Sequence, residues 1–134
     1  MLLTKECDYG IRIVRALASG EKRTIREVYE SEHIPGQYTY RIIKKLERAG
    51  ILQSVRGRYG GYLLRKPLSA FTLYDVIVAV DDNLYIKDCL RKGGSCPFKN
   101  VKHPCTIHME FKRLQKLLVG EMRKKTMKDV LQIT

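Results

Sequence analysis

Up to Gly50 the apolar residues of this 134-residue chain recur every three or four positions; beyond it the period changes. Residues 51–55 read as a strand, Arg56-Gly57-Arg58-Tyr59-Gly60-Gly61 as a glycine-rich turn, and residues 62–65 as a returning strand. Few folds close a run of helices with such a hairpin. The order helix, helix, helix, hairpin is that of a winged helix-turn-helix module. The expected fold is mainly α with a small β-hairpin, followed by a long C-terminal dimerisation helix.

Thr4 caps a first helix reaching about residue 19, with Ile11, Val14, Leu17 and Ala18 at helical spacing and Gly20 just past its end. Thr24 caps a short second helix, and Glu27 three residues on gives a capping-box pattern. His33-Ile34-Pro35-Gly36 breaks the chain. A third helix over residues 37–49 places Tyr38, Ile42, Leu46 and Ala49 on one face and Gln37, Arg41, Lys44 and Arg48 on the other, with Gly50 just past its end. After the hairpin, Thr72 caps a helix over 73–81, residues 83–104 are irregular, and a long helix spans about 106–122. A last turn lies at 127–131. Residues 1–66 are thus the winged module. Residues 67–134 supply a sensor loop, at about 83–104, and the dimerisation helix, forming one compact unit with the first part.

The net charge is +12, which favours a polyanionic partner. Its distribution is more telling. Residues 33–66 hold eight Lys or Arg and one acid, Glu47, or +7 of the +12. A recognition helix enters the major groove with its first turns at the base edges, so Gln37, Tyr38, Thr39, Tyr40 and Arg41 are candidate DNA contacts. Gln pairs with adenine and Arg with guanine. Lys44, Lys45 and Arg48 lie further along, where phosphates are in reach. Tyr38 shares a face with Ile42, so a core position is the competing reading. Arg56 and Arg58 stand between glycines, suited to a narrow minor groove. A monomer contacts few bases, and most such proteins pair on a palindromic operator. The stripe Phe111, Leu114, Leu117, Leu118 is either that dimer face or a face packed on its own domain.

Three of the four cysteines, Cys89, Cys96 and Cys105, fall within 17 residues, and His108 follows Cys105 by three. In a cytosolic chain such a cluster points to metal or redox chemistry before structural disulfides. An iron–sulfur cluster, a structural zinc or a thiol switch all fit the spacing, zinc less well because its cysteines usually come as closer pairs. Cys105 precedes the long helix, where the positive dipole end favours a thiolate. No run approaches the roughly 20 apolar residues of a membrane span, and the first residues lack a secretory signal, so a cytoplasmic location without membrane contact is expected. His33, His103 and His108 are scattered and no catalytic constellation is present, so the chain is not expected to be an enzyme.

Met1-Leu2-Leu3-Thr4, the 9–16 stretch, residues 34–46, Ser54-Val55-Arg56-Gly57-Arg58-Tyr59-Gly60-Gly61-Tyr62-Leu63-Leu64, Phe71-Thr72-Leu73-Tyr74-Asp75-Val76-Ile77 and the cysteine triad follow one another at characteristic distances. In this series the chain resembles the IscR/NsrR-type winged-helix repressors, which sense iron–sulfur status, nitric oxide or redox state. The resemblance implies a homodimer on double-stranded DNA, its long helices crossing. It implies that Cys89, Cys96 and Cys105 bind a [2Fe–2S] or [4Fe–4S] cluster near the dimer interface. It places Gln37 and Tyr38 on the operator and Arg56 in the minor groove. The spacing between the cysteines is longer than is usual in the family. His108 matches the fourth ligand of one branch, and Asp8 matches a carboxylate that another branch supplies from the partner subunit. Cys7 is unusual there: a core residue, a spare ligand or a redox partner. Other family members carry no cluster and answer to a metabolite or a protein, so the alternative is a regulator of the same fold switched by thiol oxidation, zinc, a metabolite or a partner.

Overall fold

The computed structural model describes residues 3–94, 96–98 and 105–133. Met1, Leu2, His103 and Pro104, like part of the predicted sensor loop, lie outside them. The elements are α1 (Lys5–Ala16), α2 (Ile25–Glu32), α3 (Gly36–Arg48), β1 (Leu52–Val55), β2 (Gly61–Leu64), α4 (Leu73–Val80), α5 (Thr106–Lys124) and α6 (Met127–Val130), with single 3-10 turns at Leu68–Ala70 and Asp88–Leu90.

Caps set most of the boundaries. Thr4 accepts from the Cys7 amide at 3.3 Å and Thr24 from the Glu27 amide at 3.1 Å, each satisfying an otherwise orphaned helical donor. The fully reciprocal cap occurs at Thr72 with Asp75 and at Thr126 with Asp129. α1 stops at Ala16, short of residue 19, because the next residues form a tighter turn in which the Leu17 amide is shared between Ile13 and Val14 carbonyls. His33 closes α2 in the left-handed conformation, with φ 54°. α5 runs two residues past its expected end to Lys124, and Lys125 alone separates it from Thr126, which caps α6.

The hairpin is antiparallel, with Leu52 opposite Leu64 and Val55 opposite Gly61. Arg23 bridges to the outer edge of β2: its amide donates to the Tyr62 carbonyl at 2.9 Å and its carbonyl accepts from the Tyr62 amide at 2.8 Å. The wing is therefore anchored to the segment before α2. Gly61 permits this approach, since a Cβ there would lie 2.5 Å from the Arg23 carbonyl oxygen.

One apolar cluster takes Ile13 and Val14 from α1, Val28 from α2, Ile42, Ile43 and Leu46 from α3, Leu52 from β1, Val76 and Val80 from α4, and Met127 from α6. Truncating a fully buried member such as Leu46 to Ala costs about 2–5 kcal/mol. A second, smaller cluster holds Cys7, Ile77 and Leu84. Met127 reaches the first cluster because its amide donates to the Phe71 carbonyl at 2.9 Å. By contrast α5 buries no residue completely: Ile107, Leu114 and Leu117 are exposed and Phe111 and Leu118 half-buried.

Candidate functional site

The exposed face of α3 carries Gln37, Tyr40, Arg41 and Arg48, with Lys44 half-buried beside them. Thr39 does not belong with them. It is fully buried and its hydroxyl donates to the Pro35 carbonyl at 3.1 Å, so the helical period turns it inward, where it braces the first turn of the helix. Tyr38 is half-buried, packed on the main cluster with its ring 6.1 Å from that of Tyr9. The Arg41 guanidinium lies 5.4 Å from the Tyr38 ring centroid, so Tyr38 joins the core to the exposed face through Arg41.

Glu6 was invisible to the charge count along the chain. Its carboxylate accepts from Arg41 and, at 3.2 Å, from Lys45. Lys45 also donates to the Val80 carbonyl at 3.0 Å. The Lys45 ammonium, expected within reach of a phosphate, is thus engaged between α1 and the end of α4.

Lys44 and Glu47 stitch α3 to the wing. The Lys44 ammonium sits 5.4 Å from the Tyr40 ring and 5.9 Å from the Tyr62 ring. Its pKa is raised, first by its bond to Glu47 and then by Tyr62. Glu47 is held below the ordinary carboxylate value, first by the Ser54 hydroxyl of β1 and then by Lys44. α3 and the hairpin thus form one continuous surface. At its tip Arg56, Arg58 and Tyr59 are exposed, Tyr59 at 77%. Gly57, with φ 111°, turns the chain between the two arginines, a conformation costly for other residues.

The cysteine lobe is built on α5. Cys105 is the residue before its first turn and Cys89 lies in the 3-10 turn, with the His108 Nδ1 3.4 Å from the Cys89 Sγ. Cys89, Cys96 and Cys105 are free and half-buried. Gln115 straps the lobe to α5: its Oε1 accepts from the Ile86 amide at 2.9 Å and its Nε2 donates to the Leu84 carbonyl at 2.6 Å. The sequence signal for Gln115 was a polar residue at helical spacing between Phe111 and Leu118. Among the described residues no three His, Cys, Asp or Glu side chains converge on a point fit for a single metal ion. An iron–sulfur cluster takes thiolates, with an imidazole in place of some of them in certain sites. What the structure does bring together is Cys89 and His108, with Cys105 at the start of the helix that carries His108. Cys7 is a core residue, 2% exposed, accepting from the Thr4 hydroxyl at 3.4 Å. Asp8 is exposed and pairs with Arg12 at 3.1 Å. No helix among the described residues is long and apolar enough to cross a membrane.

A family model, Rrf2, described as an iron-dependent transcriptional regulator, matches residues 3–133. Protein aau3 of Rhizobium meliloti (strain 1021) is 35% identical over 100 residues, which are 72% of this chain and 65% of that protein. The chain therefore spans about 65% of that curated relative's length. Among solved structures, the oxidised form of Staphylococcus aureus CymR superposes with a TM-score of 0.75 at 21% identity, over 100% of this chain and 98% of the other. T. potens IscR gives 0.75 at 19% identity, over 97% and 85%. CymR (YrzC), the global cysteine regulator of B. subtilis, gives 0.74 at 20% identity, over 98% and 97%. These likenesses establish the fold: mainly helical, with the winged helix-turn-helix hairpin.

Proposed function

Because this chain belongs to the Rrf2 family of transcriptional regulators, we propose that it is a cytoplasmic repressor that binds a palindromic operator as a homodimer and is controlled by an iron–sulfur cluster. Members of the family are transcriptional regulators and not enzymes. In this reading α3 enters the major groove with Gln37, Tyr40 and Arg41 at base edges. Lys44 and Arg48 lie along phosphates, and Arg56 and Arg58 enter the minor groove. The observation that carries it is the continuous basic surface of α3 and wing, joined through Lys44, Glu47, Tyr62 and Ser54. The apolar stripe of α5, with Leu117 52% exposed and no residue of the helix fully buried, supports pairing of two copies along this helix.

Cys89, Cys96, Cys105 and His108 would hold the cluster, [2Fe–2S] or [4Fe–4S]; when bound it supplies a link sensitive to redox state and nitric oxide between the loop and α5. The chain's own residues carry the coupling. Gln115 fixes the loop on α5, and Leu84 seats it in the small core beside Cys7 and Ile77. Val80, at the end of α4 and four residues before Leu84, accepts from Lys45 of α3. Operator affinity then responds to the lobe because two arrangements of α3 bind DNA unequally.

Anaerobic purification tests this reading: the expected result is a coloured protein with iron and acid-labile sulfide, whose footprint on its operator changes when the cluster is removed. A second reading is thiol or zinc control. The Cys89–His108 contact supports it, and one of the similar structures is of an oxidised form. A colourless protein that changes its free-thiol count with its DNA affinity would establish that one instead.

A further inference from the structure

We propose that Tyr59 is a minor-groove wedge that makes this chain select an easily unstacked base step beside each half-site. The inference rests on the DNA-binding reading and adds to it a residue that reads deformability, where Arg56 and Arg58 read charge.

Residues 56–60 stand clear of the paired register, which ends at Val55 and Gly61. The turn is closed by the Gly60 amide donating to the Gly57 carbonyl at 3.0 Å, so the ring is carried on a closed turn and not on a loose arm. Tyr59 belongs to neither apolar cluster. Its ring is 77% exposed, the most of any large hydrophobic side chain among the described residues. The Arg58 guanidinium lies 5.8 Å from its centroid. The same pairing of exposed tyrosine and cation recurs on α3, where Lys44 lies 5.4 Å from the Tyr40 ring, on the surface continuous with the wing.

A ring held out at the tip of a basic hairpin buries little apolar surface in its own fold. It gains by leaving water against another flat apolar surface, and base faces are the surfaces that a minor groove hides. Side chains inserted from the minor groove part adjacent base pairs and kink the duplex. Pyrimidine–purine steps part most easily, while A-tracts are stiff. Arg58 suits this arrangement, because its charge beside the ring is drawn to the phosphates flanking the parted step. The wing would thus discriminate at a step whose base edges it never hydrogen-bonds.

The test is selection from a randomised duplex library by the full-length protein and by the Tyr59→Ala and Tyr59→Phe variants. The wild type is expected to enrich a palindromic core with a pyrimidine–purine step at a fixed distance on each side. Tyr59→Ala should keep the core and lose that flanking enrichment, with affinity for the preferred flank falling about tenfold while affinity for an A-tract flank holds. Tyr59→Phe should behave as wild type, because the ring and not the hydroxyl acts. Identical flanks for wild type and Tyr59→Ala would overturn the wedge. So would a Tyr59→Phe loss that is uniform over all sequences, which would mark a hydroxyl–phosphate contact. If the wild type enriches no sequence, it is the DNA-binding reading itself that fails.

Discussion

The Lys45 ammonium of α3 donates to the backbone carbonyl of Val80, the last residue of α4, across 3.0 Å. This joins α3 to the element that leads into the cysteine lobe. Lys45→Met removes the partner of a carbonyl and of Glu6, and should cost about 1–3 kcal/mol of stability. The salt dependence of DNA affinity should keep its slope. Lys44→Met should instead make that slope shallower by about one, as loss of a phosphate contact does. Titrations at several salt concentrations, set beside urea unfolding, separate the two lysines.

Arg41 and Arg56 should weaken the operator complex in different ways. Arg41→Ala is expected to cost about 1–3 kcal/mol and to relax preference at one base pair per half-site. Arg56→Ala should weaken binding most where the minor groove is narrow. Footprinting on operators altered at single positions would show the contrast; unchanged affinity in both variants would remove DNA binding from these surfaces.

Gly61→Ala should disable the wing without touching a charged residue. Its Cβ would meet the Arg23 carbonyl oxygen at 2.5 Å, forcing apart the bonds that Arg23 shares with Tyr62. Overpacking of this kind costs about 1–3 kcal/mol. Thermal unfolding should record that loss, with a fall in DNA affinity at temperatures where the variant is still folded.

Glu47 gives a pH dependence whose sign is fixed. Its carboxylate is held below the ordinary value of 4.5 by Ser54 first and Lys44 second, so folding favours the ionised form. The stability this contributes is complete above the unfolded-state pKa and is lost as pH falls through the lowered folded one. Wild type should exceed Glu47→Gln by about 0.2–1 kcal/mol at neutral pH. The gap should close in acid, measured by denaturant unfolding over a pH series.

Substitution of Cys89, Cys96 or Cys105 by Ala should abolish iron and sulfide retention on anaerobic reconstitution. His108→Ala should retain less, or alter the absorption spectrum, while Asp8→Ala should leave both unchanged if His108 is the fourth ligand. Circular dichroism on the same samples checks that the fold survives.

The elements and the wing were legible because each carries a local signal: a threonine cap, a helical stripe, a glycine-rich turn. Ile13, Ile42 and Leu46 could be placed inside from spacing alone. What spacing could not show was pairing between distant residues. Thr39 stands among solvent-facing neighbours in the chain, yet its turn of α3 faces inward and Pro35 takes its hydroxyl. Lys45 read as one more cation until Glu6 and Val80, 39 and 35 residues away, were found beside it. Gln115 was hidden for the same reason: its partners Leu84 and Ile86 lie in a segment without periodicity.

Met127 is fully buried in the core that α1, α2 and α3 build, and its amide is bonded to Phe71. The stretch that follows α5 is therefore a structural part of the winged module. A chimera cut between wing and sensor would lose Met127 from its reading half and leave a hole in that core. New sensing properties would have to be gained by exchanging the lobe between α4 and α5 inside an intact chain, as one replaces a keystone's neighbour without lifting the arch.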